Sequence, residues 1–300
     1  MLKSYDEALE WIHARLRLGI KPGLKRMEWM LERLGHPENK LNVIHVGGTN
    51  GKGSTVSYIR SILNEAGYRT GTFTSPYIKQ FNERISVDGV PIPDESITNL
   101  ANIIKPLADE LEHTELGAPT EFEVITAMAI YYFAELDPVE WTVVEVGLGG
   151  RFDSTNVVAP AISVITNIGM DHTQILGDTV GKIAFEKAGI IKEQTPVVTA
   201  AKQKEALNVF HESARSKNAH IFVLGKDFGI SSHKSTESGE EFDLTIGTLH
   251  FSRLSTSLMG RHQTENAALA VMALHILADS GKVVISEPAI REGLFKAYWP

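Results

Sequence analysis

The chain has 300 residues, 43% of them hydrophobic and 22% charged, with 37 acidic against 29 basic side chains and a formal charge of -8. That composition excludes disordered, collagen-like and coiled-coil architectures, and the negative balance argues against nucleic acid as a partner. The absence of cysteine excludes a disulfide scaffold and any thiolate metal site, and suits a cytoplasmic protein.

At the N-terminus, MLKSYDEALEWIHARLRLG carries acids where a signal peptide would be apolar. Ser4 and Glu7 make a capping-box pattern ahead of Tyr5, Leu9, Ile12 and Leu16, whose spacing lays one apolar stripe on a helix. A second helix is predicted from Pro22 to Gly35 through Leu24, Met27, Leu31 and Leu34. Asn42–Gly47 reads as a short buried strand running into a glycine-rich turn, and Gly53–Ala66 as a helix stopped by Gly67. Further strands are predicted at Gly71–Thr74, Trp141–Val146, Ala161–Thr166, Pro196–Ala200 and Ile221–Leu224, separated by helices such as Thr120–Leu136 and Asp178–Ala188. The longest apolar stretch, Ile125–Leu136, is far short of the roughly 20 residues that span a bilayer, so no membrane partner is expected.

Strands alternating with helices predict an α/β fold: a doubly wound, mostly parallel sheet with helices on both faces. Asp88-Gly89 between Ile85–Val87 and Val90–Ile92 marks a small hairpin inserted on it. Around Phe228–Leu254 the pattern becomes period-two without helices, which predicts a small antiparallel edge. Helices near Thr264–Ala278 and Ser286–Ala297 close the chain.

The strongest local signal is Gly47-Gly48-Thr49-Asn50-Gly51-Lys52-Gly53-Ser54-Thr55, placed between a strand and a helix. Its glycines let backbone N–H groups turn toward a polyphosphate, the helix N-terminus adds a favourable dipole, and Lys52 adds a mobile positive charge. Ser54 and Thr55 offer hydroxyls to a magnesium ion. The pattern departs from G-x-x-x-x-G-K-[ST], because Val46 takes the first glycine position and Gly53 separates Lys52 from the hydroxyls. Glu145 ends a predicted buried strand, where open α/β sheets bind ligands; such a carboxylate needs either magnesium or a salt bridge to Arg151 or Lys52.

The loop G-T-N-G-K-G-S is joined in order by Phe73-Thr74-Ser75-Pro76 with Phe81-Asn82-Glu83-Arg84-Ile85, by Glu145-Val146-Gly147-Leu148-Gly149-Gly150-Arg151-Phe152-Asp153-Ser154-Thr155-Asn156, by Asn167-Ile168-Gly169-Met170-Asp171-His172, and by Glu186-Lys187-Ala188-Gly189-Ile190-Ile191-Lys192. In these segments the sequence resembles the Mur ligase superfamily and, within it, the folylpolyglutamate synthase/dihydrofolate synthase family. The resemblance implies an ATP-dependent ligase that adds L-glutamate through an acyl phosphate to (tetrahydro)folate polyglutamates, with dihydropteroate as an alternative or additional acceptor. It implies ATP contacts from Gly48, Thr49, Asn50, Gly51, Lys52, Gly53, Ser54 and Thr55, with His262 and Asn266 near the adenine. It implies magnesium at two positions, held by Ser75, Glu145 and His172, and a carbamylated Lys187, so that Lys52, Lys187 and His172 form the catalytic set.

Read on their own, several of these residues have plainer roles. Ser75 suits a turn or a helix cap, His172 a surface, Lys187 a side chain reaching solvent, and His262 with Asn266 a solvated helix start. Phe81, Arg84 and Phe122 are the candidates for the folate substrate, by ring stacking and by pairing with a carboxylate. Phe122 also fits the core stripe of its helix, and Arg84 has Glu83 and Asp88 as close charges.

In the family the sequence continues beyond Tyr298-Trp299-Pro300 into a second α/β domain. Residues 1–296 are therefore expected to form the ATP-binding domain and 297–300 the start of a hinge, in a monomer that binds ATP and magnesium with little ligase activity by itself. The alternatives are a related ligase acting on a cell-wall precursor and an ATP-dependent switch that makes no amide.

Overall fold

An eight-stranded sheet organises the chain, in the order β4-β3-β2-β5-β1-β6-β7-β8. The strands are β1 (Val43–Gly47), β2 (Thr70–Phe73), β3 (Ile85–Val87), β4 (Val90–Pro91), β5 (Trp141–Glu145), β6 (Pro160–Ile165), β7 (Val197–Thr199) and β8 (Ile221–Val223) in a computed structural model that describes residues 1–299. From β2 to β8 all neighbours are parallel, whereas β3 and β4 pair antiparallel at one edge. Parallel strands are covered on both faces, which is why β1 (VIHVG) and β5 (WTVVE) are buried throughout.

One face is covered by the helices Lys52–Glu65, His262–Asp279 and Glu287–Lys296, whose core includes Ile59, Ile62, Leu269 and Leu294. The other is covered by Tyr5–His13, Lys25–Arg33, Asp94–Glu112 and Glu121–Tyr131, packing Ile12, Met27, Leu100 and Val124 against Phe73 and Val144. Val180–Ala188 and Lys204–Ser216 enclose a third cluster around Ile165, Ile183 and Phe210. Each such side chain contributes roughly 1.5–3 kcal/mol by leaving water, and together they hold the strand ends in place. No helix among the described residues is long and apolar enough to cross a membrane.

The connection leaving β1 runs through Lys52–Glu65 to β2 on one side, while that leaving β6 runs to β7 on the other. Such a reversal opens a crevice at the strands' carboxyl ends, the usual ligand position in open α/β sheets.

Several elements depart from the sequence reading. Ser4 does accept the Glu7 N–H, but the Glu7 carboxylate turns back to the Lys3 N–H. The first helix tightens into a 3-10 turn at Ala14–Leu18, which rotates Leu16 out of the stripe and leaves it 59% exposed. The second helix starts at Lys25 rather than Pro22. The Asp88-Gly89 turn, with φ of 53° and 81°, joins β3 to β4 and so builds the antiparallel edge of the main sheet. The period-two strands form a separate three-stranded sheet of β9 (Phe228–Thr236), β10 (Gly239–Ile246) and β11 (Leu249–Thr256). Asp94–Glu112 and Lys204–Ser216 are helices that the sequence reading does not resolve. The last helix ends at Lys296; of the expected hinge at 297–300, Pro300 lies outside the described residues.

Candidate functional site

The glycine loop leaves β1 in the crevice and is tied to the segment after β6. Thr49 N–H donates to the Asn167 carbonyl at 2.9 Å, Asn50 N–H to Asn167 Oδ1 at 3.0 Å, and Thr166 Oγ1 to the Asn50 carbonyl at 2.6 Å. Gly48 has φ +137°, and a Cβ there would stand 1.9 Å from Thr166 Oγ1, so only glycine fits. Gly51, at φ +82°, faces Asn266, whose Oδ1 would lie 2.3 Å from an added Cβ. Asn266 is buried and donates to Gln263, which donates in turn to Ser54 Oγ. Asn266 thus abuts the loop, whereas His262 is exposed at the same helix's start.

Lys52 opens the helix, and its Nζ lies 3.8 Å from Glu145 Oε1 and 3.3 Å from the Thr49 carbonyl. Glu145 ends β5 with 4% exposure and accepts the Ser75 N–H at 3.2 Å. Burial pushes this carboxyl up to about 7, Lys52 and the Ser75 N–H oppose the shift, and Asp153 adds to it. Of the two salt bridges weighed for Glu145, the structure selects Lys52, at a separation too long for a hydrogen bond.

Lys187 does not reach solvent. It is 3% exposed, and its Nζ donates to the Gly48 carbonyl at 2.8 Å. Burial first, then neighbouring Lys52, pulls its ammonium down to about 8, against the pull of Asp171 and Asp153. His172, by contrast, occupies an exposed left-handed turn at φ 47°, with Asp171 at 3.6 Å. Among the described residues no three His, Asp or Glu side chains converge as a metal cluster. Ser75, Glu145 and Lys52 come together; His172 is not brought to them by any bond.

Beside Glu145 lies a cavity of about 480 Å³ lined by Ser75, Pro76, Arg84, Phe122, the Gly147–Gly150 turn and Asp153. Arg84 is 8% exposed, sits between Tyr77 and Phe81 with ring centroids at 5.4 and 5.6 Å, and donates to Glu121 rather than Glu83 or Asp88. Its buried Nε has no partner among the described residues. Phe122 packs on Phe73 at 5.7 Å and also lines the cavity, so packing and site use the same ring. Phe81 stands behind Arg84, buried against His13, and does not line the cavity. A second cavity of about 350 Å³ shares Pro76 and is bounded by Arg60, Lys79, Tyr298 and Trp299.

A connected set of buried polar groups, Asp153, Thr155 and His45, escapes the sequence reading. Asp153 Oδ2 accepts the Leu148 N–H at 2.7 Å, its Oδ1 accepts the Thr155 hydroxyl, and His45 Nε2 meets that hydroxyl at 2.8 Å. Burial and Lys192 push the His45 imidazole down to about 3, so it is neutral. One polar residue inside an apolar strand was the available signal.

The Mur ligase middle domain family matches residues 46–274. A Bacillus subtilis dihydrofolate synthase/folylpolyglutamate synthase is 52% identical over 300 residues, covering 100% of this chain and 70% of the relative. A solved folylpolyglutamate synthase complex with AMPPCP and folate superimposes with a TM-score of 0.94 at 35% identity, covering 99% of this chain and 73% of that one. The folylpolyglutamate synthase of Thermotoga maritima does so with a TM-score of 0.90 at 39% identity, covering 98% and 66%.

Proposed function

This chain belongs to the folylpolyglutamate synthase/dihydrofolate synthase family of Mur ligases, and on that premise we propose that its site uses ATP to join L-glutamate to a folate or dihydropteroate carboxylate. The observation that carries the proposal is the glycine loop, Lys52 and Glu145 opening beside a cavity of about 480 Å³ walled by an aromatic ring and a buried arginine.

A carboxylate is too poor an electrophile for an amine. Transfer of the ATP γ-phosphoryl group to a carboxylate oxygen breaks the bond to ADP and makes an acyl phosphate. The glutamate nitrogen then attacks the acyl carbon, phosphate leaves with the bonding electrons, and the amine proton passes to solvent. Lys52 and the N–H groups at the start of Lys52–Glu65 neutralise the negative charge that spreads over the phosphoryl oxygens. Phe122 offers its ring to the pterin, and Arg84 its guanidinium charge to a carboxylate of the substrate. The protein's contribution is to hold two anions and an amine within reach of one another.

The site fits a magnesium ion. Glu145 is a buried carboxylate whose Oε1 has only a distant lysine, and hard oxygen donors from Ser75 and from Ser54 or Thr55 stand on adjoining elements. Bound there, magnesium would add charge neutralisation at the phosphates. A second metal position at His172 and carbamylation of Lys187 belong to the same proposal. For Lys187 the support is a buried amine whose ammonium is pulled down to about 8, so that it gives up its proton more readily than a free lysine; the neutral nitrogen can bond to carbon dioxide and release a proton, leaving an anionic carbamate. For His172 it is the turn's place after β6, in the same connection as the Asn167 that ties the loop.

The test is a paired assay with tetrahydrofolate or dihydropteroate, each with ATP, magnesium and glutamate, with nucleotide binding read separately. Glutamate addition at a low rate and a hydroxamate trapped by hydroxylamine that depends on the pterin are the expected results. Hydroxamate formed only with a cell-wall precursor, or ATP hydrolysis without any acyl product, would replace this reading by the two alternatives.

A further inference from the structure

His45 is the single polar side chain of β1 and is fully buried. Its Nε2 lies 2.8 Å from Thr155 Oγ1, and its Nδ1 has no partner among the described residues. Thr155 is also fully buried, and its one hydroxyl proton goes to Asp153 Oδ1. The Thr155 oxygen can therefore only accept from His45, which fixes the ring proton on Nε2 and leaves Nδ1 bare. Asp153 in turn accepts the Thr155 N–H at 3.0 Å and the Leu148 N–H at 2.7 Å. The hydrogen bonds converge on the Asp153 carboxylate, from His45 in β1 at the centre of the sheet on one side and from the turn that follows Glu145 on the other.

We propose that His45 is a positioning residue for the cavity: acting through Thr155 and Asp153, its Nε2–H holds the Gly147–Leu148 turn that carries the chain from Glu145 into the cavity wall. Gly147, Leu148 and Asp153 all line that wall. Gly147 also presses on the Phe122 ring, where an added Cβ would come within 2.5 Å. Displacement of the turn therefore shifts Phe122 and the cavity's shape together. Packing alone does not call for an imidazole here, since an apolar side chain would fill β1 without burying a bare nitrogen. The proposal rests on reading the cavity as the pterin site, but its first test does not.

That test is amide exchange at Leu148 in His45→Leu, His45→Gln, Thr155→Val and Thr155→Ser, alongside the wild type. His45→Leu and Thr155→Val are expected to speed Leu148 exchange by about three- to tenfold, the loss of one buried hydrogen bond, with Thr49 exchange unchanged. His45→Gln and Thr155→Ser, which keep the donor and the hydroxyl, are expected to stay within about twofold. In turnover, KM for dihydropteroate should rise by a similar factor in the first pair, while KM for ATP stays put. The His45 Nδ1 resonance should be that of an unprotonated nitrogen at neutral pH. Unchanged Leu148 exchange in both disrupting variants overturns the proposal; should His45→Leu fail to fold, the two Thr155 variants decide it. A wild type that gives no pterin-dependent hydroxamate overturns the functional reading instead, and leaves the exchange result to judge His45 by itself.

Discussion

Lys187 Nζ donates to the carbonyl oxygen of Gly48, joining a helix that follows β6 to the loop that follows β1. The bond places a buried amine directly against the nucleotide loop, with Lys52 as a second positive charge nearby. Two cations held this close repel unless anions arrive, which is what a polyphosphate or a carbamate provides.

Lys187→Met should separate stability from function. The lysine's folded value of about 8 lies below the 10.5 of the unfolded chain, so the unfolded state binds more protons between them. Stability therefore rises with pH across that window, and below it the buried charge is a full penalty. At pH 7 the methionine variant should melt no lower than the wild type, while turnover falls by at least about a hundredfold. A large drop in Tm with turnover retained would contradict both halves.

Glu145 shifts the other way. Its folded value of about 7 stands above the usual 4.5, so the folded state binds more protons between the two and loses stability as pH rises through them. In magnesium-free buffer Glu145→Gln should match the wild type near pH 4.5 and melt higher by ~2–5 °C at pH 8. Magnesium-dependent nucleotide affinity should fall by roughly 10–100-fold, measured by titration calorimetry.

Gly48→Ala tests the loop's backbone. The new methyl would meet Thr166 Oγ1, which already holds the Asn50 carbonyl, and φ +137° is strained for alanine. A loss of more than about 2 kcal/mol in chemical denaturation is expected, together with loss of nucleotide binding. Alanine at Gly67, where nothing stands within 4 Å, should cost less despite its φ of +89°.

Arg84→Met should raise KM for the pterin by about tenfold or more and leave KM for ATP little changed. The variant also strips Glu121 of its arginine partner, so Arg84→Met with Glu121→Gln should fold better than Arg84→Met alone. Equal effects on both substrates would place Arg84 outside the cavity's chemistry.

What the sequence discloses follows the range of the interaction. The glycine loop is legible because its strand, turn and helix are contiguous, and Lys52 falls at the helix start within one residue of the reading. Glu145 is legible as a strand-end carboxylate, and Lys52 was one of its two candidate partners. The helix Asp94–Glu112 is hidden by Pro106 in its interior, although Ile97, Leu100, Ile104 and Leu111 keep helical spacing and are buried. The Arg84 partner is hidden because Glu121 is 37 residues away and meets it only through the packing of two helical turns. The Asp153–Thr155–His45 chain needs β1 and the turn after β5 side by side before its logic exists. His172 shows the converse, since read on its own it suits a surface, and the structure leaves it exposed.

Trp299 lies across the start of the nucleotide helix, so near Gly53 that a Cβ there would overlap the indole at 2.2 Å. Any ligand that draws that helix start toward itself must change the indole's surroundings, and the chain has only 4 tryptophans against which to see it. The molecule thereby carries its own optical gauge of occupancy: emission that shifts on adding ATP in the wild type and stays flat in Trp299→Phe would follow loading of the loop without any label.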